Sequence, residues 1–287
     1  MKPVNQKTLK TVPHNDLSDF VLDQAEKSED LHENLLLLVN SDSPDTVYKQ
    51  LNIKINSIKR SQAFVNYGYS FRFADELQSV LDAINQQLLK SAPDLAEKLI
   101  LKFIKIHPAV FERADDSSGS IGDVFRYAIE AWKEACVKCY NGKDKTALIE
   151  KVAQLYLDDN YGITDDVIKP FGDFLSEDEL EQLKQLITAN KEKLSEHMFK
   201  HALLQISDAK RNVDDYIDIL ESSEKINAAE VLNIVDRLIQ KNRLQEALDW
   251  LEKGQANYSG YMENDFIEKF IVIYDALKNQ DKSDHYR

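Results

Sequence analysis

The stretches HALLQISDAKRNVDDYIDILE (residues 201–221) and LNIVDRLIQKNRLQEALDWLE (residues 232–252) decide the fold. Shifted by 31 positions (213 to 244), they pair Val213 with Leu244, Ile217 with Leu248, Ile219 with Trp250, Leu220 with Leu251 and Glu221 with Glu252. Short polar turns, Lys210-Arg211-Asn212 and Lys241-Asn242-Arg243, separate the two halves of each stretch. Two short helices repeating at a period of about 34 residues are the mark of tetratricopeptide-like arrays. Such a hairpin leaves an apolar face uncovered, so successive hairpins must stack on one another. The small Ala247 stands where two helices would approach closely. The alternative is an ordinary antiparallel helix pair inside an irregular bundle.

The helical pattern extends outward in both directions. Only 8 Gly and 6 Pro occur in 287 residues, and most fall at joints between apolar stripes: Pro44, Pro93, Pro108, Gly142 and Gly254. Toward the N-terminus the stripes are Leu77, Val80, Leu81, Ile84 and Leu88, then Leu95, Leu99, Ile100, Phe103 and Ile104. Ser43-Pro44 and the capping box Ser176…Glu179 mark helix starts. Helices are expected near 122–140, 144–158, 164–174, 176–189, 191–209, 213–222, 227–240, 244–255 and 262–278. The first break in the array is expected over 61–72. No segment alternates with period two between turn signals, so no sheet is expected. The predicted fold is all-α, an α-solenoid of helical hairpins resembling tetratricopeptide or HEAT arrays. It is organised as a flexible tail (1–14), an N-terminal helical region (15–141) and a C-terminal helical-repeat region (142–280), read as one continuous solenoid.

Composition bounds the function. The 36 Lys+Arg against 50 Asp+Glu leave a net charge of −14, which argues against general nucleic-acid binding. The longest apolar run, 35–39, is far short of the roughly 20 residues of a membrane span. The first residues carry lysines without an apolar core, so no secretory signal is read. With two cysteines, a reducing cytoplasm is the expectation. Charge is distributed unevenly. Between 47 and 72 lie Lys49, Lys54, Lys59, Arg60 and Arg72 with no acidic residue, whereas 155–185 holds nine acidic residues and two basic ones. These blocks read either as solvated faces or as complementary docking surfaces.

Few residues suggest chemistry. Cys136 and Cys139 form C-x-x-C, and His197 with His201 forms H-x-x-x-H; together they have the ligand set of a Cys2His2 zinc site. The 57 positions between 139 and 197 make that pairing depend on the fold, and buried thiols on a helix are the plainer account. The polar loop Asp115-Asp116-Ser117-Ser118-Gly119-Ser120 opens the long helix. Aligned as a calcium loop with Gly119 sixth, it places Phe125 where the bidentate glutamate belongs, so that reading fails. Arg113, Asp115, Asp116, Asp123 and Arg126 are the candidate residues for a ligand or partner contact at this loop. Their structural alternative is a helix start capped by Ser120 or Asp123, with the arginines pairing to loop carboxylates. No nucleophile–base set, phosphate loop or dinucleotide loop is present, so no catalytic residue, metal ligand or cofactor is assigned.

Four segments carry a resemblance: PHNDLSDFVLDQAEKSEDLHENLLLLV (13–39), PDLAEKLILKFIKIHPAVFERADDSSGSIGDVFRYAIEAW (93–132), DDVIKPFGDFLSEDELEQLKQL (165–186) and the hairpin pair quoted above. Over about 13–277 the chain resembles an uncharacterised bacterial helical family, a domain of unknown function. The resemblance implies a tetratricopeptide- or HEAT-like fold and brings no catalytic residue with it. The expected function is therefore a non-catalytic scaffold or adaptor that binds another protein on its helical-repeat surface. The alternatives are an accessory to nucleic-acid processing using the basic 47–72 block, a zinc protein using the Cys/His set, or an acidic surface that occupies a basic protein.

Overall fold

The structure, a computed structural model, describes residues 3–40, 43–222, 225–257 and 263–287. The chain is all-helical. Among the described residues there is no strand, and the β-type pairing is a single parallel bridge between Val65 and Ala114. The helices are α1 (Gln6–Leu9), α2 (His14–Lys27), α3 (Glu29–Val39), α4 (Pro44–Arg60), α5 (Tyr67–Gln87), α6 (Pro93–Ile104), α7 (His107–Phe111) and α8 (Ser120–Tyr140). They continue as α9 (Thr146–Leu157), α10 (Glu177–Ala189), α11 (Glu196–Ala209), α12 (Val213–Glu221), α13 (Ala228–Gln240), α14 (Leu244–Asn257), α15 (Glu263–Ala276) and α16 (Gln280–Tyr286). Short 3₁₀ turns lie at Lys169–Phe171 and Lys191–Lys193.

Most helix starts follow local chemistry. Ser176 accepts from the Glu179 N–H while the Glu179 carboxylate accepts from the Ser176 N–H, the reciprocal box read from the sequence. Three expectations need correction. The break over 61–72 is only 61–66, because α5 starts at Tyr67 and carries the aromatic residues within its first turns. No α-helix forms over 164–174. Pro170 supplies no N–H and biases Lys169 away from the α region, so the segment closes through short i→i−3 bonds such as Phe171 N–H to Ile168 O. The helix expected from 191 starts at Glu196, where Ser195 caps it. Of the helix expected over 262–278, position 262 lies outside the described residues, as do residues 1–2 of the expected tail.

The chain divides into two compact units. The first comprises 1–148 with 158–164, and the second 149–157 with 165–287. In the first unit α6 and α5 pack on the long α8, and α4 packs on α6. Phe103 and Phe125 stack at 5.1 Å in its core, and the buried Trp132 donates its indole N–H to the buried Glu97 carboxylate at 3.0 Å. A buried carboxylate without such a donor would be costly.

In the second unit successive helices pack on their neighbours from α10 through α16. Three of its turns close in the same way. Arg211, Asn242 and Lys278 adopt φ of 54°, 57° and 58°, and each terminates a helix whose last carbonyls accept from the turn. Thus Asn212 N–H reaches Ser207 O, Arg243 N–H reaches Leu238 O and Asn279 N–H reaches Tyr274 O, the left-handed closure that satisfies helix-end carbonyls. The first two are the turns of the quoted repeat. The third, before α16, has the related Lys278-Asn279 but lies next to the end of the expected repeat region. The core of this unit gathers Val213, Tyr216 and Leu220 of α12 with Ile234, Val235 and Leu238 of α13, Ala247 and Leu251 of α14, and Phe266 and Phe270 of α15. Gly254 on α14 lies against this core. A Cβ there would stand 2.7 Å from Val231 Cγ1 and 2.8 Å from Phe266 Cε1.

Overpacking a filled core costs about 1–3 kcal/mol, so Gly254→Val should destabilise the protein by that amount. Urea denaturation is the check; an unchanged midpoint would show that α14 and α15 separate freely.

Candidate functional site

The loop before α8 is built around two aspartates with different tasks. Asp116 accepts the N–H groups of Ile121 (2.9 Å) and Gly122 (2.8 Å), so its carboxylate holds the first turn of α8. The cap is therefore Asp116, and not Ser120 or Asp123. The reason is geometric: Gly119 occupies the N-cap position with φ 76°, and this left-handed turn carries the chain so that Asp116 meets the exposed N–H groups. Asp115 instead accepts the Ser117 N–H and hydroxyl, and these two bonds hold its carboxyl below the ordinary range. Asp123 and Arg126 form an exposed pair at 3.0 Å.

Arg113 is the part of the set that the sequence misassigned most. Its guanidinium turns away from the loop carboxylates and donates to Ala63 O (3.1 Å) and Ile58 O (3.2 Å), lying 4.8 Å over the Phe73 ring. On the backbone side, Val65 N–H donates to Arg113 O and Asp115 N–H donates to Val65 O, both at 2.8 Å. One buried arginine thus ties the end of α4 and the entry to α5 onto the α7–α8 connection. Arg113, Asp115 and Asp116 form a structural joint, and Asp123 and Arg126 lie beyond it on the solvent side of α8.

A second polar centre in the same unit was not foreseen. His107 is buried among Phe111, Phe125 and Tyr161, with its ring 6.1 Å from those of Phe125 and Tyr161. Its Nδ1 bonds Ile104 O at 2.9 Å, and its Nε2 stands 3.9 Å from the buried Asp159 carboxylate, beyond hydrogen-bond reach. Asp159 in turn accepts the N–H groups of Tyr161, Ile163 and Thr164 and shapes the returning 158–164 segment. Burial lowers the basicity of His107, against the opposing pull of the Ile104 carbonyl and Asp159. The sequence signal was faint: an imidazole before Pro108 in an apolar stretch, and an aspartate absorbed into an acidic block.

Several residues of that acidic block have partners within the second unit. Glu181 pairs with Lys210 at 2.5 Å, Asp173 with Arg211 at 3.0 Å, and Asp166 lies 3.6 Å from His201. In the basic block, Lys49, Lys59, Arg60 and Arg72 have no acidic partner among the described residues, while Lys54 does have contacts. Cys136 is buried on α8, and His197 and His201 stack at 6.3 Å on α11. Among the described residues no group of three or more His, Cys, Asp or Glu side chains could hold a metal ion. The described helices include none long and apolar enough to cross a membrane.

A cleft of about 690 Å³ lies between α11, α12 and α13, lined by Asp208, Arg211, Asn233, Asp236, Arg237 and Lys241 among others. Its floor is rigid. Arg237 binds both oxygens of Asp208 and lies 3.9 Å over the ring of Tyr216. Asn233, Arg237 and Gln240 recur at helical spacing and therefore share one face of α13, and Lys241 is its C-cap.

Residues 1–200 and 188–287 match the family of unknown function DUF6880, and the chain belongs to that family. No curated protein and no solved structure matches it.

Two outcomes follow from these joints. Asp116→Ala should cost about 1–2 kcal/mol, the range for losing a helix cap, and Asp115→Ala should cost less; denaturant midpoints compare them. For His107 the folded state resists a proton that the unfolded chain accepts below an ordinary pKa of about 6.5. Its contribution is therefore intact above that pH and is lost as pH falls toward the depressed folded value, by at most about 1.4 kcal/mol per pH unit. His107→Gln should flatten this part of the stability profile between about pH 7 and 5; equal slopes in both proteins would show that His107 titrates as in water.

Proposed function

We propose that this protein is a non-catalytic scaffold whose second unit is a tetratricopeptide- or HEAT-like solenoid that holds a partner protein, in the cytoplasm. The recurrence of one joint carries the reading. Three helix pairs turn through a left-handed residue at Arg211, Asn242 and Lys278. Three side-chain pairs of the second unit are 29 residues apart (Glu181 with Lys210, Asp208 with Arg237, Asp214 with Arg243), and others are 30 (Lys200 with Glu230), 33 (Asp236 with Lys269) and 38 (Asp173 with Arg211). Pairing between residues about one hairpin apart in sequence is what stacked neighbouring hairpins would produce, because each hairpin packs on the next. Exposed pairs of this kind contribute about 0–1 kcal/mol each, so their significance is register more than stability.

The cleft supplies the binding surface. Asn233 and Gln240 each offer an amide donor and an acceptor, the complement of a peptide group, and Lys241 adds a positive charge at the rim. Arg237, held by Asp208 although burial opposes its charge, keeps the floor in place without rearrangement on binding. Preorganised polar clefts of this kind bind extended chain segments through the backbone and leave specificity to the rim.

A photo-crosslinking residue placed at Asn233 or at Gln240 should trap the same protein in cells, and the same residue at the exposed Lys138 of α8 should not. Lys241→Glu should weaken that complex about tenfold, equivalent to about 1.4 kcal/mol. Adducts equal at all three positions, or none at the cleft, would overturn the assignment.

A further inference from the structure

The entry to α5 presents aromatic rings to solvent on a rigid support. Phe64, Tyr67 and Phe71 are 68%, 54% and 56% exposed. Tyr67 and Phe71 stand one turn apart on α5 with rings 6.3 Å apart, edge to face at 75°. Phe64 precedes Tyr67 by three residues, and the backbone on both sides of it is pinned. Ala63 O accepts from Arg113, and Val65 is paired in both directions across the bridge to Ala114. These rings are therefore exposed because the surrounding backbone is held, and a partner would lose little flexibility in meeting them. Clustered exposed aromatic rings of this kind are typical anchors of binding surfaces.

The charges that flank the rings along the chain are basic, while Asp115, whose N–H bonds Val65 O, is held by Ser117. Lys59 and Arg60 end α4, Arg72 follows Phe71, and none of the three has an acidic partner among the described residues. Lys102 on α6 lies close enough to feel both Lys59 and Arg60, and burial together with their repulsion makes its ammonium a weaker base than usual. The nearest acidic residues on α5, Asp75 and Glu76, follow Phe71 by a turn, and Glu76 faces Arg113. In a chain of net charge −14, a cluster of unpaired cations is a directed feature of the surface.

The geometry points to a docking site at Phe64, Tyr67 and Phe71, flanked by Lys59, Arg60 and Arg72, for an acidic peptide segment of a partner protein that inserts an apolar or aromatic side chain. A peptide fits better than single-stranded nucleic acid for two reasons. Edge-to-face rings form a ridge that packs against a side chain, whereas bases require open ring faces on which to stack. Lys49, Lys54 and Lys59 lie about 140° apart around α4, taking 100° per residue, so they spread around the axis and trace no line for a phosphate backbone. This site is on the first unit and does not depend on the cleft of the second.

The test is selection of random peptides on the full-length protein, counter-selected on Phe64→Ser. Recovered peptides should be acidic with a Phe, Trp, Tyr or Leu anchor. Their affinity, read by fluorescence anisotropy, should fall about tenfold in Phe64→Ser and in Arg60→Glu and should weaken with added salt. Tyr127→Ser, at an exposed ring on α8, should bind as wild type. An unchanged melting temperature in Phe64→Ser establishes that the exposed substitution leaves the fold intact. Enrichment of neutral or basic peptides, or no enrichment relative to Phe64→Ser, overturns the proposal. So does labelled oligo(dT) binding more tightly than every selected peptide and failing in Arg60→Glu. Concentration-dependent self-association abolished by Phe64→Ser would also overturn it, by making a second copy of the chain the occupant.

Discussion

An amphipathic helix pair cannot cover its own apolar surface, and this constraint organises both units. In the second unit α13 illustrates it. Ile234, Val235 and Leu238 of α13 are almost fully buried, and its neighbours on either side are α12 and α14. Removing α13 would expose apolar residues of α12 and α14. Ala247 and Gly254 show the steric side of the same constraint, since both lie on α14 where neighbouring helices leave no room for a larger group. The ion pairs Glu181–Lys210, Asp208–Arg237 and Asp214–Arg243 link segments about one hairpin apart in sequence and are individually weak.

The first unit solves the same problem with buried polar groups at the points where helices change direction. Arg113 donates to carbonyls of two segments, Ile58 O and Ala63 O, Asp116 holds the start of α8, and Glu97 meets the indole of Trp132. Each removes an otherwise unpaired backbone or side-chain group from the interior. His107 differs, because its Nε2 has no partner and its nearest carboxylate is 3.9 Å away. Burial lowers its basicity, and its ring packs on Tyr161, which couples the returning 158–164 segment to α7. The rigidity that Arg113 imposes is also what displays Phe64, so the joint and the exposed ridge are two consequences of one side chain.

Helix content and the two quoted turns were legible because they depend on local signals. The periodicity of Val213, Tyr216 and Leu220 names one face, and the polar residues at 210–212 and 241–243 mark the reversals. The capping box at Ser176 was equally readable, since both partners lie within four residues. The 164–174 segment failed because its apolar spacing suits a helix while Pro170 denies it the required N–H. The roles of Arg113 and Asp116 failed for another reason. Both sit beside the loop carboxylates in sequence, but the partners of Arg113 lie 50 and 55 residues away. Nothing in a linear reading distinguishes an arginine that pairs with a neighbouring aspartate from one that reaches back to a distant carbonyl.

The sequence by itself determined that the chain is helical, where most helices begin, and which turns reverse them, because capping, periodicity and proline act over a few residues. Tertiary structure alone decided which polar groups are buried and which aromatic rings remain outside. Burial depends on what a distant segment places against a side chain: Arg113 is enclosed because residues 58–63 fold over it, and Phe64 stays in water because its backbone is occupied elsewhere. The acidic and basic blocks show the same division. Their composition was plain, but only the fold separated the carboxylates already engaged by Lys210 and Arg211 from the cations of Lys59, Arg60 and Arg72 left facing solvent.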